Sequence, residues 1–108
     1  MDLTQQKCVP CEVGGIPLTD AEARSQMKDI PSWQLSADAK KISRTLKFKD
    51  FAQALAFTDK IGALAEKEGH HPDIFLSYGK VTVELTTHAV GGLSLNDFIV
   101  AAKVDRLM

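Results

Sequence analysis

Lys41-Ile42-Ser43-Arg44-Thr45-Leu46-Lys47-Phe48 runs through Lys49 and Asp50 into Phe51-Ala52-Gln53-Ala54-Leu55-Ala56-Phe57-Thr58-Asp59-Lys60-Ile61, and the pattern continues to Gly69. The first part has a period of two. Ile42, Leu46 and Phe48 share one side with Arg44 in phase, while Ser43, Thr45 and Lys47 share the other. That alternation predicts an antiparallel strand with one buried face. The second part has a period near 3.6. Phe51, Ala54, Leu55, Phe57, Thr58, Ile61, Leu64 and Ala65 fill one half of a helical wheel, opposite Gln53, Asp59, Lys60, Glu66 and Lys67. Asp50 is the N-cap with Gln53 at the capping-box position, and Gly69 is a natural left-handed residue to end the helix. A strand feeding a long amphipathic helix therefore sits at the centre of the chain.

Working outward toward the N-terminus, Ser36 to Ala39 reads as a turn and Trp33-Gln34-Leu35 as a short strand. Thr19-Asp20-Ala21-Glu22 is a capping box that opens an earlier helix, with Leu18 placed to staple onto Ala23. Pro31 bars Ile30 from the helical region, so this helix ends near Lys28. Residues 1–17 carry Pro10, Gly14, Gly15 and Pro17 without periodicity and read as an irregular lead-in to a single domain over 18–108.

Toward the C-terminus, Asp73–Tyr78 and Lys80–His88 read as two strands with a turn near Gly79. Val81, Val83, Leu85 and Thr87 face the core, and Thr82, Glu84, Thr86 and His88 face away. Gly91-Gly92 breaks the strand. Ser94 then caps a last helix, Leu95 to about Leu107, with Asp97 at the capping-box position. The order α-β-β-α-β-β-α, two hairpins separated by a helix, predicts an α+β fold: an antiparallel sheet with helices packed on one face. On the last helix Leu95, Phe98, Ile99 and Ala102 are expected to face the sheet. Val100, Val104 and Leu107 would then stay partly uncovered, a stripe that predicts a homo-oligomer.

Composition narrows the function. The chain has 108 residues with 13 basic and 14 acidic side chains, a formal charge of -1, so there is no excess to neutralise nucleic-acid phosphates or to hold an anionic membrane surface. No stretch approaches the roughly 18 apolar residues of a membrane span. Met1 to Lys7 lacks the apolar run of an export signal, which together with only two cysteines predicts a cytoplasmic protein. Cys8-x-x-Cys11 is half a zinc ribbon without its second half and lacks a thioredoxin-like setting.

All three histidines fall between residues 70 and 88. If the second hairpin folds back, His88 returns beside His70 and His71. Imidazoles titrate near neutrality, so three around one cleft, with Glu66 one helical turn before His70, make a proton-transfer site. A second reading makes the same side chains idle loop histidines, which their clustering counts against, and a third makes them zinc ligands with an open fourth position. Adjacent His-His rings tend to point apart, which counts against the metal. Asp97 needs no substrate to explain it, because a carboxylate in the first turn of a helix is stabilised by exposed amides.

Glu66-x-x-x-His70-His71-Pro72, then Tyr78, His88 and Asp97, resembles the signature of the pterin-4a-carbinolamine dehydratases. Phe48-Lys49-Asp50-Phe51 before the long helix and Gly92-Leu93-Ser94 before the last one agree with it, and the likeness extends over roughly Leu18 to Val104. The resemblance implies a four-stranded antiparallel sheet and a homodimer or homotetramer. It implies dehydration of 4a-hydroxytetrahydrobiopterin to quinonoid dihydrobiopterin without metal or organic cofactor. It also implies a functional link to phenylalanine hydroxylase, whose pterin is thereby recycled. By matching positions, His70 and His88 are the acid–base pair and His71 holds substrate near its hydroxyl. Glu66 orients His70 or relays protons, Asp97 supports the site or only caps its helix, and Pro72 and Tyr78 shape the binding surface. In animals, members of this family also serve as dimerisation partners of a homeodomain transcription factor, and no face for such a partner is recognisable in this sequence.

Overall fold

The computed structural model describes residues 3–9 and 15–108. The elements are α1 (Asp20–Gln26), β1 (Gln34–Leu35), β2 (Ile42–Lys47), α2 (Phe51–Glu68), β3 (Asp73–Ser77), β4 (Lys80–Leu85) and α3 (Leu95–Arg106), with short 3-10 turns at Leu3–Gln5, Met27–Asp29 and His88–Val90. The strands form one sheet in the order β1-β2-β4-β3, antiparallel throughout. β4 is inserted between β2 and β3, so α2 is the crossover of a split β-α-β unit and β3 is an edge. The α+β reading and the element order hold.

Local chemistry sets the helix ends. Thr19 and Glu22 form the reciprocal capping box of α1. Asp50 Oδ1 accepts from the Gln53 amide at 2.8 Å to start α2. Gly69, at φ 67°, ends α2 in the left-handed conformation that a Cβ would strain.

Ile42 and Leu46 of β2 and Val81, Val83 and Leu85 of β4 meet Ala54, Phe57, Ile61 and Ala65 of α2 and Phe98, Ile99 and Ala102 of α3. Each large aliphatic or aromatic side chain buried this way contributes about 1.5–3 kcal/mol. Arg44, which breaks the apolar alternation of β2, reaches Asp105 at the end of α3 with an N···O distance of 2.5 Å. The same Asp105 oxygen accepts from the Trp33 indole at 2.9 Å.

Four expectations are corrected. Val100 and Val104 are fully buried and Leu107 packs against the core, because the Leu3–Gln5 turn lies on α3 with Leu3 inside the core. The last helix therefore presents no uncovered stripe, and the lead-in contains a structured turn. Phe51 and Leu55, assigned to the buried half of α2, are each 43% exposed, since they lie at the margin of the sheet contact. The strand expected to reach His88 stops at Leu85. Thr87 pairs with Gly92, which closes a loop and turns His88–Val90 into a 3-10 turn. Cys11, with Pro10 and Gly14, lies outside the described residues.

Candidate active site

The site lies where the C-terminus of α2, the end of β4 and the N-terminus of α3 meet. The left-handed turn at Gly69 directs the chain away from α2, and the next residue is His70. Its Nε2 lies 2.6 Å from Asp97 Oδ1, with Asp97 wholly buried and the His70 side chain 12% exposed. The second Asp97 oxygen accepts from Thr87 Oγ1 at 2.7 Å and from the Ser94 amide at 3.0 Å. Thr87 Oγ1 also lies 2.8 Å from Ser94 Oγ. A buried carboxylate needs this many partners, and the α3 amides add favourable field. With Asp97 accepting on both oxygens, the His70 ring proton is assigned to Nε2, which leaves Nδ1 able to accept a proton.

His71 Nε2 pairs with Glu66 Oε2 one turn back on α2, and both side chains are largely exposed. Glu66 therefore holds His71, and it is Asp97 that holds His70, in place of the expected orientation of His70 by Glu66. His88 is exposed; its carbonyl accepts from the Gly91 amide at 3.1 Å, but its ring makes no hydrogen bond among the described residues and is available to a ligand.

His70, His71 and His88 line one cleft of about 260 Å³, together with Gly69, Thr86 and Thr87. The fold thus brings the three histidines together. Glu66 and Asp97 stand behind two of them. Pro72 adjoins the cleft in sequence but does not line it. Tyr78 does not enter it at all: it sits on the β3–β4 turn, and the register Asp73↔Glu84 to Ser77↔Lys80 puts that turn at the opposite end of the strands. Thr87 is a site residue that its alternation with Val81, Val83 and Leu85 marks only as a core position. The available signal was a lone hydroxyl closing the apolar series Val81, Val83 and Leu85.

Among the described residues, no three His, Cys, Asp or Glu side chains are arranged to hold a metal ion, and no helix is long and apolar enough to cross a membrane.

The chain has clear relatives. Residues 16–107 match the family model described as pterin 4 alpha carbinolamine dehydratase. Proteins named "Putative pterin-4-alpha-carbinolamine dehydratase" align almost end to end. The one from Marinobacter nauticus is 48% identical over 98% of this chain and 97% of its own length. The one from Nitrosomonas europaea is 50% identical over 98% and 93%. The crystal structure of a transcriptional coactivator/pterin dehydratase from Brucella melitensis superposes with a TM-score of 0.79 at 34% identity, covering 84% of this chain and 97% of that one. A pterin dehydratase-like protein identified as a RuBisCO assembly factor in the alpha-carboxysome gives a TM-score of 0.61 at 28% identity, covering 70% and 88%. The chain belongs to the pterin 4 alpha carbinolamine dehydratase family.

Proposed function

We propose that the protein is a 4a-hydroxytetrahydrobiopterin dehydratase acting in the cytoplasm. It removes water to give quinonoid dihydrobiopterin and so recycles the cofactor of aromatic amino acid hydroxylases such as phenylalanine hydroxylase. The observation that carries this reading is the convergence of His70, His71 and His88 on one cleft, with His70 braced by the buried Asp97. In the reaction the C4a–O bond breaks as the hydroxyl takes a proton and leaves as water. A ring-nitrogen proton passes to a base, and its electron pair forms the new double bond to C4a. Hydroxide leaves poorly, so a placed acid matters, and such groups give about 10²–10⁴-fold. His70 and His88 form the acid–base pair. His71, steadied by Glu66, holds the substrate near its hydroxyl.

The test is a dehydratase assay on enzymatically generated 4a-hydroxytetrahydropterin, read against the spontaneous rate. Turnover above that baseline, insensitive to a chelator, supports the reading. No acceleration removes it and favours a non-enzymatic binding or interaction role; the alpha-carboxysome relative is identified as an assembly factor.

We also infer a homodimer or homotetramer. Its support is the pair Phe51 and Leu55, one turn apart beside the buried face of α2 and each 43% exposed. Sedimentation at micromolar concentration that finds only an 11.8 kDa species contradicts it.

A further inference from the structure

The segment ahead of the family match helps to build the cleft. Residues 3–9 form a strap over the ends of α2 and α3. Asn96, 4% exposed, grips Val9 as a neighbouring strand would: the Val9 amide donates to Oδ1 at 3.0 Å and Nδ2 donates to the Val9 carbonyl at 2.6 Å. One residue earlier, the Cys8 amide donates to Glu68 Oε1 at 3.1 Å, and Lys103 Nζ donates to Glu68 Oε2 at 2.9 Å. The Glu68 side chain is 4% exposed. Burial, reinforced by the negative charge of Glu68, pushes the Cys8 thiol up to about 12, so it stays protonated and donates to the Asn96 carbonyl. Releasing the strap would strip partners from buried polar groups, which holds it down.

The anchors are neighbours in sequence of the site pair. Asn96 precedes Asp97, and Glu68 lies two residues before His70. Val9 lines the same cleft as the three histidines. Among the described lining residues it is the sole branched apolar side chain, and it is 65% exposed. A flat heterocycle needs polar groups at its edges and an apolar surface against a face. The histidines and Thr86 supply the first, and Val9 supplies the second.

We propose that the strap is a substrate-contacting wall of the His70 cleft, with Val9 as a specificity-determining contact and Asn96 as the positioning residue that holds it in place. The identity of the ligand rests on the dehydratase reading; the wall itself does not.

The experiment uses the full chain with Val9→Ala and Asn96→Ala. Steady-state kinetics, fluorescence titration with oxidised biopterin, thermal melts and diethyl pyrocarbonate labelling of His70, mapped by mass spectrometry, are compared with wild type. Val9→Ala removes two methyl groups from the contact and is expected to raise KM and the biopterin Kd by about tenfold. Its kcat stays within about twofold and its Tm is unchanged, a split that a merely structural residue does not produce. Asn96→Ala is expected to raise KM likewise and to speed His70 labelling by about tenfold. If Asn96→Ala fails to fold, Val9→Ala decides alone. Unchanged KM and Kd in Val9→Ala overturn the contact, and unchanged His70 labelling in a folded Asn96→Ala overturns the wall. If wild type neither turns over nor binds biopterin, the dehydratase reading fails, and His70 labelling alone then decides for or against the wall.

Discussion

Asp97 Oδ1 lies 2.6 Å from His70 Nε2, and Asp97 has no exposed surface. One carboxylate thus performs two tasks. Its Oδ2 closes the start of α3 and takes the Thr87 hydroxyl, while its Oδ1 fixes the imidazole. The choice between a cap and a site residue dissolves, because the two oxygens face different partners.

Asp97→Asn therefore affects both stability and rate. The amide nitrogen cannot accept, so with it in the Oδ1 position the His70 ring N–H loses its acceptor, at about 1–3 kcal/mol of stability. The ring proton of His70 is no longer directed, and kcat is expected to fall by about 10²-fold, less than the roughly 10⁴-fold seen when a triad carboxylate is neutralised. Added to His70→Ala, the substitution should cost little further rate, since both remove the same unit. Melts and single-turnover rates on the four proteins check this. A Tm loss with kcat intact would reduce Asp97 to a cap.

The histidines should separate by kinetic signature. His70→Ala and His88→Ala are expected to lower kcat and kcat/KM together, by about 10²–10⁴-fold, with the fold intact. His71→Ala should chiefly raise KM, because its ring rests on the exposed Glu66 and not on the buried carboxylate. Near-normal kcat in both of the first two variants removes the acid–base assignment.

Asp105→Ala probes the frame without touching the cleft. It takes the acceptor from the Trp33 indole and from Arg44 at once. Both partners are largely withdrawn from water, so a loss of about 1.5–3 kcal/mol in urea unfolding is expected, with kcat unchanged. A loss under about 0.5 kcal/mol would mean that solvent replaces both bonds.

Acid should release the strap through Glu68. Burial alone would raise the Glu68 pKa, but the hydrogen bonds from Lys103 and the Cys8 amide and the Lys103 charge outweigh it and hold the carboxyl below its ordinary value of 4.5. A depressed carboxylate contributes stability that is fully present above that ordinary value and is lost as pH falls through the folded-state pKa. Melting temperature against pH should therefore drop more steeply below about 4.5 in wild type than in Glu68→Gln. Parallel curves would show that the pair with Lys103 contributes no linkage.

The features legible in the sequence are those governed by neighbours a few residues away. The capping boxes at Thr19 and Ser94, the Asp50 cap, the Gly69 stop and the alternation of Val81, Val83 and Leu85 involve groups that meet whatever the rest of the chain does, so α2, α3 and the hairpins could be read directly. That His70, His71 and His88 share a cleft followed from a hairpin returning to its start. Which acid serves which histidine could not be read this way. Glu66 is near both His70 and His71 in sequence, but the turn after Gly69 sends His70 toward α3 and leaves His71 to Glu66. The cover on Val100 and Val104, and the grip of Asn96 on Val9, join groups nearly the whole chain apart. Such contacts carry no local signature, because they exist only once the sheet has placed the ends of α2 and α3 side by side and the buried polar groups there must find partners or lose them.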